Sequence, residues 1–472
     1  MNWPNALTLC RDLQRGTLSA CDLMNEVYDR IEQVNPQVNA LVALLPREQA
    51  LQLATSADQS PIADRGPLHG LPMAPKDAVE VQGFATSWGF VPWADNIAQQ
   101  DDGLAARMRA AGALFIGRSN MPEFGLGSNT FNRLYGRTHN PYDLTRTAGG
   151  SSGGAAVALA TGMLPLADGS DMGGSLRNPA SFCNVVGFRP SIGRMPFTRG
   201  FGWFGRLATT GPMARTVADA TLLFSVQAGP DPSDPLTLPE PGTDFLDALV
   251  PPENLQGLRI AYAPTLHGLP IAPEVMLVLD QAIDVFANLG AEVTTQGPQL
   301  ERAMDVFQTQ RAAGLATLGA SLNRTVPDWR EHAKDTAIWN IDKGLALSAE
   351  EILQSETTRS TLYTHIAEYF SQHDALVLPA AQVAPFPLDQ EWVAEINGQQ
   401  LDSYIDWMTI CCAITVTGCP AISVPAGFTE QGLPVGVQIV GKPRGDLALL
   451  QIAHAFEAAT QHHLTRPAVC AD

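Results

Sequence analysis

Lysine is scarce in this 472-residue chain, and charged residues of all kinds make up only 16% of it. Apart from histidine, every basic residue is an arginine except four: Lys76, Lys334, Lys343 and Lys442. Because hydrophobic residues make up 45%, the composition predicts a globular protein with a large core and excludes disorder over most of the chain. Acidic residues outnumber basic ones by 48 to 29, for a formal net charge of −19. This excess of acid argues against a broad basic surface that binds nucleic acid.

Paired cysteines and long apolar runs are also missing, and the first residues do not have the pattern expected of a secretory leader. The seven cysteines are scattered and form no C-x-x-C pair, so neither a disulfide framework nor a zinc site is predicted. The longest apolar run, near residues 155–166, is shorter than the roughly 20 residues that cross a bilayer. Residues 1–15 lack a basic segment followed by an apolar one. We therefore expect a cytoplasmic protein that neither spans nor enters a membrane.

What is present is an alternation of amphipathic helices and short apolar strands. Apolar spacing predicts helices at 19–34 and Val217–Gln227, and apolar runs predict strands at Leu164–Ala167 and Ala375–Leu378. Near the end of the chain, two strand-like segments flank a turn at residues 430–432 and predict a hairpin. The pattern indicates an α/β fold with a mixed sheet. The length allows about three domains or one large α/β domain.

Two further segments have a distinct character. Residues 229–256 are rich in Pro, Asp and Glu and show no periodicity, so they predict a long surface connection. Residues 300–372 are almost continuously helical in pattern and carry more charge than the rest of the chain. They predict a helical layer or cap on the sheet.

Glycine is concentrated between Gly149 and Gly174, which hold eight of the chain's 41 glycines. This stretch contains two Gly-Ser loops, joined by a helix-compatible run and a short strand. Glycine concentrates where the backbone must take a positive φ or approach another group closely. The two loops are therefore the first candidate for a functional site.

Several functions compete for the first loop. A phosphate-binding P-loop requires lysine where Ala155 stands. Residues 150–154 fit the G-x-S-x-G pattern of a nucleophile elbow with Ser152 as nucleophile, but that motif directly follows a strand, and here a turn-rich segment precedes it. A plain structural role is a turn that caps the helix beginning near Ala155. The remaining hypothesis joins both loops to a lysine.

That lysine is Lys76, which lies in an apolar, proline-stiffened stretch at residues 69–77. A desolvated lysine can lose its proton near neutral pH, whereas arginine stays protonated in proteins. In a chain that otherwise uses arginine, an amine at this position indicates a candidate base. The alternative is a surface lysine whose stem packs on apolar side chains.

Taken together, these segments closely resemble the amidase signature family. The likeness rests on the GGSSGG loop at 149–154, the GSDMGGSLR segment at 169–177 and Lys76-Asp77, and it extends over nearly the whole chain. It implies the amidase-signature fold, a large mixed β-sheet flanked by helices on both faces with a helical elaboration. The implied organisation is a single domain over 1–472, with a signature core at about 65–225 and the cap-like segment at about 300–372.

The resemblance also implies an activity and a set of roles. The activity is hydrolysis of the C–N bond of linear amides through an acyl-enzyme, without metal or cofactor. The implied catalytic residues are Ser175 as nucleophile, Ser151 as a bridging serine after a cis peptide bond, and Lys76 as base. The implied oxyanion hole and its supports are the backbone N–H groups of Met172, Gly173, Gly174 and Ser175, with Ser152, Asp171 and Arg177 holding the turn.

Aromatic residues bear on the substrate. Clusters near residues 88–93 and 197–204 fit either core packing or an apolar pocket, for which we expect Met121, Phe124, Phe201 and Trp203. A small apolar or aryl amide is the expected substrate, and carbamates (urethanes) and esters stay open because they present the same carbonyl. The alternative is a glutamine-hydrolysing component of a tRNA-dependent amidotransferase, although residues 200–210 depart from the pattern usual in those proteins. A homodimer is compatible with the sequence.

Overall fold

The computed structural model describes residues 4–197, 206–250 and 252–470. The α-helices in these ranges are α1 Ala6–Arg15, α2 Ala20–Val38, α3 Arg47–Asp58, α4 Gly103–Ala110, α5 Gly153–Ala160, α6 Arg177–Phe182, α7 Val217–Gln227, α8 Thr243–Asp247, α9 Pro273–Asn288, α10 Ala303–Thr325, α11 Trp329–His332, α12 Asp335–Leu345, α13 Ala349–Gln372, α14 Thr409–Thr417 and α15 Asp446–Thr460. The strands in the same ranges are β1 Leu41–Val42, β2 Pro72–Met73, β3 Leu114–Phe115, β4 Arg118–Ser119, β5 Phe131–Asn132, β6 Gly136–Arg137, β7 Leu166–Asp171, β8 Val186–Arg189, β9 Thr209–Ala214, β10 Arg259–Tyr262, β11 Glu292–Thr294, β12 Ala375–Pro379, β13 Glu395–Ile396, β14 Gln399–Gln400, β15 Ala421–Phe428 and β16 Pro434–Gly441.

The fold is built on an eight-stranded sheet with the order β11-β10-β12-β16-β15-β8-β9-β7. Strand β10 pairs in parallel with β11 and β12, and the remaining neighbours are antiparallel. The predicted α/β class with a mixed sheet is therefore confirmed. No helix in the described ranges is both long enough and apolar enough to span a bilayer.

The predicted C-terminal hairpin is confirmed as β15 and β16, which lie in the middle of the sheet. Gly432, in its turn, has φ +78°, a backbone conformation that glycine adopts without steric cost. All eight residues of β16 are buried, because β12 and β15 pair with its two edges and helices cover it. Helix α7 has the predicted bounds and begins after Thr216, whose side chain accepts the Asp219 N–H.

The strand predicted at Leu164–Ala167 is displaced along the chain. Strand β7 starts at Leu166, since Pro165 offers no N–H to a ladder, and it continues to Asp171 through Gly169 and Ser170. Gly169, Ser170 and Asp171 belong to the strand because each pairs with a residue of β9, Asp171 with Thr209. An edge strand of the sheet thus leads directly into the second Gly-Ser loop.

The segment predicted to be helical at 300–372 forms α10 to α13. Helix α13 begins with a capping box in which the Ser348 and Glu351 side chains each accept the other residue's backbone N–H. This segment packs on the loops at 88–93 and 123–126 through a second apolar cluster, the satellite cluster, which consists of Phe90, Phe124, Leu126, Leu322, Trp329, Ala333, Ala337 and Ile341. Residues 229–256, predicted as a connection, contain the short helix α8.

Candidate active site

Lys76 is buried, with 1% of its surface exposed, and its amine lies among serine hydroxyls. The Nζ atom is 2.7 Å from Ser151 Oγ, 2.9 Å from Ser152 Oγ and 3.0 Å from Ser170 Oγ. Burial lowers the pKa of Lys76 to about 7, although Asp168 and Asp171 act against this shift. The alternative of a snorkelling surface lysine is therefore wrong.

Two charged residues that sequence reasoning missed hold the Lys76 backbone. Its N–H lies 3.3 Å from both carboxylate oxygens of Asp168, and its carbonyl accepts a hydrogen bond of 2.9 Å from Arg118. Burial raises the pKa of Asp168 to about 6. The sequence feature that could have pointed to them is a charged residue inside a short strand, Arg118 in β4 and Asp168 in β7.

The first Gly-Ser loop places Ser151 next to Lys76 and then continues into α5. The Gly150–Ser151 peptide bond is cis. Ser152 is the N-cap residue of α5, so the loop does precede the helix as its plain structural role predicts, but its side chain makes no cap hydrogen bond and its hydroxyl accepts from Lys76 instead. In the described structure no strand immediately precedes the loop, which excludes the geometry of a nucleophile elbow.

Strong hydrogen bonds brace the second Gly-Ser loop around Asp171. Its carboxylate accepts the N–H groups of Gly174 at 2.9 Å and Leu176 at 3.1 Å. Arg177 forms a two-pronged ion pair with it, at 3.0 Å from Nε and 2.8 Å from Nη2. Burial would raise the pKa of Asp171, but Arg177 and then Arg189 hold it well below its usual range. These contacts are the ones through which Asp171 and Arg177 are expected to support the loop.

Ser175 lies where the two loops meet. Its carbonyl accepts the Ser152 N–H at 3.2 Å, and 8% of its surface is exposed. Its hydroxyl forms no hydrogen bond with any other described residue, so the structure brings Ser175 beside the first loop without joining it to Ser151.

The turn that precedes Ser175 presents backbone N–H groups. The Gly174 N–H already donates to Asp171, whereas those of Gly173 and Ser175 have no acceptor within the described ranges. Gly173 is closely packed, because a methyl group there would lie 3.2 Å from both Cys412 Sγ and Phe307 Cζ. Met172 is half-buried and packs against the core.

The residues expected to form a substrate pocket are only partly brought together. A methyl group on Gly125 would lie 3.6 Å from Ser151 Oγ and 3.7 Å from Met121 Cε, so Met121 borders the site. Phe124 instead packs on Phe90, with ring centroids 4.8 Å apart, in the satellite cluster. Phe201 and Trp203 lie outside the described residues.

Clustered metal ligands do not occur in the described ranges. Among those residues, no group of three or more His, Cys, Asp and Glu side chains is placed to hold a metal ion. The groups that this site offers to a substrate are an amine with a lowered pKa, several hydroxyls and free backbone N–H groups.

Comparison with known proteins gives consistent results. A family model described as Amidase matches residues 22–450. The acylamidase of Rhodococcus erythropolis is 35% identical over 474 residues, covering 99% of this chain and 98% of the relative. In Moorella thermoacetica, the A component of the glutamyl-tRNA(Gln) amidotransferase is 34% identical over 479 residues, covering 96% of each chain.

The fold comparison leads to the same group. The crystal structure of a bacterial aryl acylamidase of the amidase signature enzymes superposes with a TM-score of 0.89. It shares 28% sequence identity, and the match covers 98% of each chain.

Proposed function

The chain belongs to the amidase family, whose members in the amidase signature group are C–N hydrolases, and from this premise we propose that it cleaves small aryl or alkyl amides through a Ser175 acyl-enzyme. The observation that carries the proposal is the 2.7 Å contact between Lys76 Nζ and Ser151 Oγ, made by an amine whose pKa burial lowers to about 7. Such an amine is neutral in part at physiological pH and can accept a proton.

In the proposed acylation step, Lys76 takes the Ser151 proton while Ser151 takes the Ser175 proton. The Ser175 oxygen then attacks the amide carbonyl carbon, and the C–N bond breaks as the relay returns a proton to the departing amine. Water attacks the resulting ester in the same way, releasing the acid and restoring Ser175. This transfer requires the Ser175 hydroxyl to reach Ser151, and no hydrogen bond to another described residue holds that hydroxyl elsewhere.

The oxyanion that forms in each step needs preorganised donors. We assign this role to the N–H groups of Gly173 and Ser175. Met172 directly precedes them in the same loop. Gly174 shapes the turn, because its N–H is engaged by Asp171 and its φ is +105°. Loss of one such donor typically costs about 2.7–4 kcal/mol of transition-state stabilisation.

The substrate assignment follows from similarity. The Rhodococcus relative is an acylamidase and the superposed structure an aryl acylamidase. Carbamates and esters present the same carbonyl to the same donors, so they remain candidate substrates beside amides. Glutamine hydrolysis within a tRNA-dependent amidotransferase is the second candidate, favoured by the 34% identity with the Moorella protein.

Two measurements test these assignments. A fluorophosphonate should form one adduct, mapped by mass spectrometry to Ser175 and absent from the Ser175→Ala protein. An adduct on Ser152 would instead support that serine as nucleophile. The purified chain should hydrolyse 4-nitroanilides faster than glutamine, whereas a preference for glutamine would favour the amidotransferase function.

A further inference from the structure

Arg311, on α10, is a buried cation without a carboxylate partner in the part of the chain that the structure describes. Only 6% of its surface is exposed. Its guanidinium donates to the Asn340 side-chain oxygen and, at 2.5 Å, to the Tyr404 hydroxyl. Its other N–H groups have no acceptor among the described residues, and no ion pair there includes it. Arg177 and Arg194 are buried as deeply, yet both contact carboxylates.

The helix face that carries Arg311 leads from the candidate active site to open space. Phe307, one turn earlier on α10, touches Gly173, and residues four apart lie on the same face of a helix. Gly314, three residues after Arg311, has nothing within 4 Å of the point where a Cβ would stand. Arg311 thus lies on one helix face between Phe307, which packs on the loop that offers the N–H donors, and Gly314, which faces open space.

Tyr404, the partner of Arg311, borders the other side of the site. Its ring lies 3.9 Å from a methyl group placed on Gly127, two residues beyond the Gly125 that touches Ser151. The guanidinium also stacks on the Tyr404 ring, with its central carbon 5.4 Å from the centroid. A second series of contacts therefore links Arg311 to the candidate active site. It runs through Tyr404 and the loop of Gly125 and Gly127 to Ser151.

Cations gather here in a chain that is acidic overall. Burial lowers the pKa of Lys334 to about 8, and Arg311 acts in the same direction against Glu123 and Glu391. Burial also lowers the pKa of Lys343, again with Arg311 and against Asp406. Two of the four lysines and Arg311 thus share one neighbourhood, in which the carboxylates act on the lysines and none pairs with Arg311 in the described ranges.

We propose that Arg311 binds a carboxylate carried by the amide substrate, at a distance from the bond that is cleaved. A guanidinium can hold a carboxylate through two parallel hydrogen bonds, and a buried charge without such a partner is costly. Asn340 and Tyr404 fix the guanidinium and leave its remaining N–H groups for this ligand. The proposal rests on the proposed function and narrows its substrates to amides of carboxylate-bearing acids or amines.

Matched substrates test this. The 4-nitroanilides of hexanoic acid and of adipic acid differ by a carboxylate on the acyl side, and the hexanoyl amides of aniline and of 4-aminobenzoic acid differ on the amine side. In one series the enzyme should prefer the carboxylate by about 10- to 100-fold in kcat/KM, the range expected for hydrogen bonds to a charged group. Arg311→Met should remove the preference and leave the neutral member within about twofold.

Arg324→Met is the control, since Arg324 is exposed on the same helix and its loss should change neither substrate. Arg311→Lys, which keeps the charge, should retain part of the preference and serves if Arg311→Met does not fold. Absence of a carboxylate preference in both series, or an equal loss for neutral and charged substrates in Arg311→Met, would overturn the proposal.

A binding measurement separates this proposal from the proposed function. Calorimetric titration of the Ser175→Ala protein should show tighter binding of 4-phenylbutyrate than of 4-phenylbutanol, and the difference should vanish when Arg311→Met is added. If no amide is hydrolysed but this difference is found, the carboxylate site stands and the proposed function fails. If amides are hydrolysed and the two ligands bind alike, the carboxylate site is refuted.

Discussion

Lys76 and Arg177 are both buried cations, and the chain treats them in opposite ways. Arg177 cannot lose its proton, so it is paired with Asp171 and its remaining N–H groups donate to Cys411, Thr415 and Gln438. Lys76 has only hydroxyl neighbours around its amine. Burial can therefore shift Lys76 toward its neutral form, while Arg177 stays charged.

This difference predicts the pH dependence of activity. Because neutral Lys76 is the proposed base and its pKa is about 7, kcat/KM for an anilide should rise between pH 6 and 8 and then level off. Lys76→Met should lower kcat by at least about 100-fold, the lower range for general-base catalysis. Stopped-flow or plate assays of both proteins across this range provide the measurement, and near-normal turnover in Lys76→Met would refute the relay.

Burial of Lys76 also predicts the pH dependence of stability. The folded-state pKa is below that of an unfolded lysine, so between about pH 10 and pH 7 the unfolded chain binds the extra proton. The free energy of unfolding should therefore fall as the pH falls through this window. Urea titrations at pH 7 and pH 9.5 should show a smaller fall for Lys76→Met, and identical slopes for both proteins would contradict the assigned pKa.

For Arg177 we predict a loss of stability when the side chain is removed. Arg177→Met leaves the buried Asp171 carboxylate with Arg189 as its remaining cation, at 3.6 Å. Breaking a buried pair by removing one partner typically costs about 3–5 kcal/mol, so the variant should unfold at much lower urea. Arg324→Met, an exposed control, should stay within about 0.5 kcal/mol of the parent. Equal stability of the two variants would contradict a structural role for the Arg177–Asp171 pair.

At the scale of elements, α10 and α12 approach unusually closely. A methyl group on Gly344 of α12 would lie only 1.9 Å from the Ala312 carbonyl oxygen of α10, and one on Gly319 would lie 2.4 Å from Ile341. The two helices can pack in this way only because both positions lack a side chain. The satellite cluster then fixes the helical segment to the loop at 123–126 that borders the active site.

This packing predicts opposite effects for two glycine substitutions. Gly344→Ala should destabilise the protein by about 1–3 kcal/mol or more, because the added methyl group forces the helices apart. Gly314→Ala, inside α10 and facing open space, should instead stabilise it by about 0.5–1 kcal/mol through helix propensity. Thermal unfolding of both variants measures this, and a destabilised Gly314→Ala would show that the space beside α10 is not open.

Most helices and strands could be predicted from the sequence, whereas the contacts between distant elements could not. The helices of 300–372 and the C-terminal hairpin follow from apolar spacing, and Lys76 and the two serine loops stand out in composition. Contacts such as Phe307 with Gly173, or Arg118 and Asp168 with Lys76, join residues far apart in the chain. Periodicity reports only which face of an element is buried, not which distant element covers it, so these partners required the structure.

At the scale of the whole molecule, we propose that the chain is one cooperative domain. The central sheet combines strands from β7 to β16, and the N-terminal helix α1 is tied to α7 by the Leu7 N–H, which donates to Asp219 at 3.0 Å. Differential scanning calorimetry should show a single transition with equal calorimetric and van't Hoff enthalpies. A separate early transition that removes the helical segment at 300–372 would indicate two units.

The reach of Arg177 has a consequence for how the protein is made. Its acceptors at residues 411, 415 and 438 follow it by 234 to 261 residues, and β16, the last strand in the described ranges, stands in the middle of the sheet. During synthesis from the N-terminus, the segments that carry Lys76, Ser151 and Ser175 emerge long before these partners. The sheet of the nascent chain therefore stays incomplete until β15 and β16 have left the ribosome. Until then its unpaired strands are accessible to chaperones and proteases.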